Sequence, residues 1–263
     1  MLYHAHYLMI LCGLFVCLLG AILFGISTGR RRRRKLGEAA ELGTGAVDGA
    51  VYALLGLLIA FTFSGAAARF DERRGLIVEE ANDIGTAWLR LDMLPASAQP
   101  GLRQLMIDYT QSRLDTYRLV PDLAAVAEEL ALTQQLRARI WAEATAAVRA
   151  PGQDTAAAML LMPALNAMFD IVTTRTMASL KHPPREIYLT LFALSVLSAF
   201  LGGQAMGLAQ WQSRSHILAF PLIISIVIVM IIDIEHPRLG FITVDGFDRS
   251  IADVLETMKA AAP

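Results

Sequence analysis

Charge is scarce in this chain. Only 18% of its 263 residues are Asp, Glu, Lys or Arg, and 23 basic side chains almost balance 24 acidic ones, leaving a formal net charge of -1. An ordinary soluble domain carries about 25% charged residues, and near-neutrality provides no global field to attract nucleic acid. Cysteine is scarcer still. Cys12 and Cys17 lie five residues apart, about 140° around one helix, so they cannot pair with each other and a disulfide-stapled secreted fold is excluded. No P-loop, dinucleotide fingerprint, nucleophile elbow, zincin or CxxC motif occurs. His4 and His6 sit beside the first apolar block without further ligands, His182, His216 and His236 are scattered, and no catalytic residue, metal site or cofactor is expected. An enzyme reading has no motif behind it.

What the chain has instead is apolar residues, 55% of the total, concentrated in four blocks. Residues 8–26 hold no charge. Residues 46–68 hold only Asp48, 186–209 only Glu186, and 217–234 only Asp233. A bilayer core of about 30 Å needs roughly 20 apolar residues in a helix, and in lipid the backbone must satisfy its own hydrogen bonds. Each block therefore reads as a transmembrane helix. The first is read as retained rather than as a signal peptide, because it lacks a basic start and a small-x-small site.

The residues after the first block set an orientation. Residues 29–45 contain Arg30 to Arg34 and Lys35 against Glu38 and Glu41, a net +4, while the tail from Asp233 carries -3. Short basic loops stay cytoplasmic, which puts residues 69–185 and the tail outside. The basic run can also meet anionic lipid headgroups, although a topology signal alone accounts for it.

Residues 69–185 carry 14 acidic and 13 basic side chains and are rich in Ala, Leu, Glu and Arg, a helix-forming composition. Phe70, Ile77, Ile84 and Leu91 recur every seven residues, with Ala81 and Trp88 beside them, as in an amphipathic helix leaving the second membrane helix directly. Further helices are expected after Pro100, after Pro121 and from about Asp154 to Leu180. Gly240 to Val244 is the one stretch with strand-like alternation. The fold class is thus an all-α integral membrane protein, with four transmembrane helices in two hairpins bracketing an extramembrane helical bundle. The expected divisions are a first membrane hairpin (1–68, with the basic loop 29–45), a helical region (69–185), a second hairpin (186–234) and a C-terminal tail (235–263).

Several residues are candidates for function. Gly49, Ala53, Gly56, Ala60 and Ser64 share one face of the second membrane helix, and Gly203 and Gly207 lie on the third. Small faces let helix backbones approach closely; a pore-facing role is the alternative. Beside the first of these faces sit Leu57 and Phe61, one turn apart. Repeated around a ring they would form an apolar constriction that gates by dewetting; contact with lipid or a neighbouring helix is the plainer reading. Glu79, Glu80 and Asp83 follow the membrane helix. They suit a solvated or ion-paired face, or a hard cation shared by Glu79 and Asp83. Arg238, after the fourth block, is a candidate clamp onto one of these acids.

The run AVYALLGLLIAFTFSGAAARFDERRGLIVEEANDIGTAWLRLDMLP, together with MPALNAMFD and DIEHPRLGF, resembles the bestrophin-like family of bacterial four-helix membrane proteins. Of a polar cluster that many members carry at the entry to the second helix, only Asp48 is present. The resemblance implies a pentameric anion channel of the bacterial inner membrane, handling small inorganic ions within the lipid bilayer. Its second membrane helix would line the pore, with Ala53, Leu57 and Phe61 at neck positions. It also implies a cytosolic helical region, against the orientation set by the basic loop. The competing function is a non-conducting membrane scaffold or sensor whose helical region binds a partner.

Overall fold

A computed structural model describes residues 2–37, 45–120, 122–209 and 213–261. Among the described residues there are eight α-helices, two short 3-10 turns and no strand. The helices are α1 (Leu2–Leu36), α2 (Gly45–Arg90), α3 (Gln99–Arg118), α4 (Leu123–Val148), α5 (Thr155–Leu180), α6 (Arg185–Leu208), α7 (Arg214–Glu235) and α8 (Arg249–Ala261). The chain divides into two compact units, residues 1–70 with 182–242 and residues 71–181 with 243–263.

The first unit contains α1, the start of α2, α6 and α7. Candidate membrane spans run over Ala5–Leu36, Gly45–Met93, Thr155–Leu208 and Arg214–Glu235; within the third, α6 is the part that lies in this unit. α1 and α6 pack backbone to backbone. A Cβ on Gly203 would lie 2.9 Å from the Ile22 Cα, and one on Gly207 3.1 Å from the Arg30 backbone nitrogen, so neither position has room for a side chain. Gly25 and Gly29 make the reciprocal approach to Phe200 and Gln204. Leu18, Ile22, Ile26 and Ala199 fill the core of this contact. Leu55 and Ala66 of α2 pack with Leu191, Ile228, Ile231 and Ile234 in a second core. Gly203→Val is expected to cost about 1–3 kcal/mol through overpacking, read as a lower melting temperature of the detergent-solubilised protein.

The basic run is helical, not a loop from residue 29. α1 carries Arg30 to Lys35 in its final turns and ends at Leu36, after which Gly37 takes a φ of 60°. Arg and Lys are good helix formers and complement the carbonyl end of the helix dipole. Nothing stops the helix until a glycine can adopt the left-handed conformation. Residues 38–44, the rest of the expected loop, lie outside the described residues.

The second unit is built on the amphipathic rows read from sequence. Ile77, Ala81, Ile84, Ala87, Trp88 and Leu91 are buried, while Phe70 is half-buried and belongs to the first unit. No proline interrupts the chain from Gly45 to Leu94, and α2 runs for 46 residues. Asp122 and Asp154 cap α4 and α5 through backbone N–H groups, as aspartate commonly does at a helix start.

Two boundary expectations need correction. Residues 243–263 are part of the second unit rather than a tail, because α8 buries Ile251, Leu255 and Met258 on one face. At 13 residues it is too short and too charged to stand out as an apolar block. Gly240 to Val244 forms no strand; it is irregular chain, held at Phe241 and Ile242 by Asp233 as described below.

Candidate functional site

The start of α2 has two contrasting sides. Leu55, Leu58, Ile59 and Ala66 face the core of the membrane unit. At about 100° per residue, Gly49, Ala53, Gly56, Ala60 and Ser64 point the opposite way, and all five are exposed. Leu57 and Phe61 continue this face, 51% and 68% exposed. Only 11% of the apolar stretch of this helix is buried, against 33% for Arg214–Glu235, so α2 is the membrane helix least covered by its own chain. The two small-residue faces therefore differ. That of α6 is used up by α1, whereas Gly49 and Gly56 have nothing within 4 Å of a built Cβ.

The membrane-unit end of α2 is tied to the end of α7. Arg69 donates from Nε to Glu235 Oε1 at 2.9 Å and also from Nη2. The Glu235 side chain is fully buried. Its other oxygen lies 3.4 Å from His182 Nδ1. The His182 and His236 rings stack, with centroids 5.0 Å apart and planes at 18°. Asp233 accepts the N–H groups of Phe241 at 2.9 Å and Ile242 at 2.9 Å. A side chain at Gly240 would collide with that carboxylate. The DIEHPRLGF run is thus a folded helix terminus in which Asp233, Glu235, His236 and Gly240 each have a packing or hydrogen-bonding task. A clamp does join α2 to the end of α7. The guanidinium comes from Arg69 on α2 and the carboxylate from Glu235.

In the second unit Glu80 is the centre of a buried ionic cluster. Arg113 Nε donates to Glu80 Oε1 at 2.6 Å, and Arg175 donates to Oε2. The Tyr117 hydroxyl donates to Oε2 at 3.3 Å. Both guanidinium groups lie over the Tyr117 ring, 4.9 Å and 3.8 Å from its centroid. Burial alone would raise the Glu80 carboxyl pKa, but the two guanidiniums outweigh it and hold the group below its ordinary value. Two cations meet one anion here, and Arg113 Nη1 is buried without a hydrogen-bond partner.

Glu80 is therefore held inside the unit by Arg113 and Arg175. Glu79 is exposed and Asp83 half-buried. Burial, then the charges of Glu79 and Glu80, push the Asp83 carboxyl up. No group of three or more potential metal ligands occurs among the described residues.

Sequence reasoning missed Arg113, Arg175 and the pairing of Arg69 with Glu235. For Arg175 the signal was a single arginine inside an otherwise uncharged stretch, IVTTRTMAS, whereas Arg113, with Asp115 two residues on, carried none. Their partner lies 33 and 95 residues away, and no local spacing reveals that.

These features define an all-α integral membrane protein whose second membrane helix keeps an open face. The model of the bestrophin-like domain matches residues 15–246, and the chain belongs to the bestrophin-like family. The crystal structure of a bacterial bestrophin homologue from Klebsiella pneumoniae, in point-mutant form, is similar in fold. It has a TM-score of 0.69 at 16% identity, covering 93% of this chain and 98% of that one. No curated protein matches the chain. Family membership supports a channel-type function.

Proposed function

We propose that the chain is one subunit of an oligomeric channel for small inorganic ions, anions foremost, in the bacterial cytoplasmic membrane. The observation that carries this reading is the open face of α2. Gly49, Ala53, Gly56, Ala60 and Ser64 allow close approach between copies or to a pore axis. Leu57 and Phe61, with Ala53 one turn earlier, supply an apolar ring that closes by dewetting. From residue 49 to residue 68 the helix has no carboxylate, so an anion on this path meets no fixed negative charge. A pentamer matches the arrangement implied by the sequence resemblance.

Planar bilayers containing the purified protein test the reading. Currents whose reversal potential follows the anion gradient support it. Absence of current over a range of ions and pH rejects it in favour of the scaffold or sensor. A concave patch of about 300 Å³ on the second unit, walled by Gln134, Arg137 and Trp141, favours that alternative.

The orientation proposed is the one set by the basic end of α1, with Arg30 to Lys35 cytoplasmic and the helical unit outside. Arg214, the first residue of α7, adds a further cation to the same side. With Cys12 and Cys17 replaced by serine, Ala131→Cys on the exposed side of α4 is expected to react with an impermeant maleimide in intact cells. Labelling only after lysis reverses the orientation.

A further inference from the structure

The arginines at the end of α1 are not evenly solvated. Arg30, Arg31 and Arg34 line one concavity of about 330 Å³ together with Ser27, and its apolar wall comes from Leu23 of α1 and Ile217 in the first turn of α7. Leu23, Arg30, Arg31 and Arg34 are all exposed. The neighbouring Arg33 is engaged elsewhere, donating to the Leu208 carbonyl at the end of α6. The concavity sits where the uncharged stretch of α1 meets its basic turns, so it is apolar toward the bilayer and cationic toward water. No side chain caps the α7 N-terminus, whose dipole also favours an anion.

We propose that this pocket binds the phosphodiester headgroup of an anionic glycerophospholipid. The guanidinium groups of Arg30, Arg31 and Arg34 would hold the phosphate through charge-assisted hydrogen bonds, with Ser27 as an additional donor. Leu23 and Ile217 would receive the glycerol end and the first acyl carbons. The apolar wall and the position at the end of a membrane span select a lipid over a free anion, because a free phosphate makes no use of either. This proposal rests on neither conduction nor orientation.

The test compares two double variants that remove the same charge. R31Q/R34Q empties the pocket of two guanidiniums. R32Q/K35Q takes two cations from the same run but from positions that do not line it. Full-length protein in a neutral detergent is titrated with short-chain phosphatidylglycerol, with phosphatidylcholine and with inorganic phosphate, following the melting temperature. Phosphatidylglycerol is expected to stabilise the wild type and R32Q/K35Q, whereas R31Q/R34Q needs about tenfold more lipid for the same shift. Stabilisation by inorganic phosphate equal to that by phosphatidylglycerol would make this a free-anion site. Equal weakening of both double variants would reduce it to diffuse attraction, and equal stabilisation by phosphatidylcholine would remove the anionic specificity; each of these overturns the proposal. If R31Q/R34Q does not fold, native mass spectrometry of the R34Q single variant applies the same test. Retention of phosphatidylglycerol at wild-type occupancy contradicts the pocket, and reduced occupancy supports it.

Discussion

Glu80→Ala is expected to destabilise the helical unit by about 3–5 kcal/mol, the scale on which removing one partner breaks a buried ion pair. The reason lies in the charge count. Among the described residues Glu80 is the only anion bonded to Arg113 and Arg175, and Arg113 is 1% exposed. Without the carboxylate two guanidiniums lie beside one aromatic ring, with little water to screen them. Glu80→Gln keeps the shape and one acceptor and should cost less. Arg175→Met should cost least, because it removes the surplus cation and leaves one acid with one base. The order Ala, Gln, Met can be read from thermal unfolding followed by circular dichroism, and from tryptic cleavage within residues 71–181. A ranking with Arg175→Met worst would mean that packing of Arg175, not charge balance, holds the cluster.

The cluster also implies a direction with pH. The folded carboxyl of Glu80 titrates below its usual value of 4.5. Its ionised form therefore stabilises the fold at pH values above the ordinary carboxylate range, and this contribution is lost as pH falls through that range toward the depressed folded value. Glu80→Gln should flatten that part of the acid-unfolding curve.

Phe61→Ala is expected to change conduction several-fold while barely altering the folded subunit. Its ring is 68% exposed, so truncating it removes little intrachain packing. At an apolar constriction the same truncation widens the passage and admits water, raising open probability and unitary current. Leu57→Ala should act in the same direction more weakly, since it removes fewer apolar atoms. Leu197→Ala on α6, 45% exposed but off the proposed pore face, should leave currents at the wild-type level. Currents in Phe61→Ala and Leu57→Ala indistinguishable from wild type would reject the neck assignment even if the protein conducts.

The membrane architecture was legible because each span is an uninterrupted apolar run, and the row from Ile77 to Leu91 was legible because its period is that of a helix. The start of α8 was not. Its core-facing residues Ile251, Leu255 and Met258 alternate with charge, and burial depends on α3, far away in sequence, as in the Thr110 hydroxyl contact with Met258 Sδ at 3.7 Å. The end of α1 was misjudged for a different reason: five arginines suggest a loop by charge, although arginine itself favours helix. For the candidate site, the small face of α2 could be read from spacing, but its difference from the face of α6 could not. Gly203 and Gly207 are used within the chain, and only the partner helix reveals that. The ion pairs were equally hidden, since Arg69 finds Glu235 across 166 residues.

In the proposed channel, copies of this chain assemble with α2 around a pore. An image of the purified oligomer viewed down the membrane normal tests it most directly. The expected result is a closed symmetric ring with an axial opening bordered by α2, with Leu57 and Phe61 at its narrowest point. A monomer, or a ring in which the Gly49-to-Ser64 face of α2 is turned outward to lipid, would contradict it.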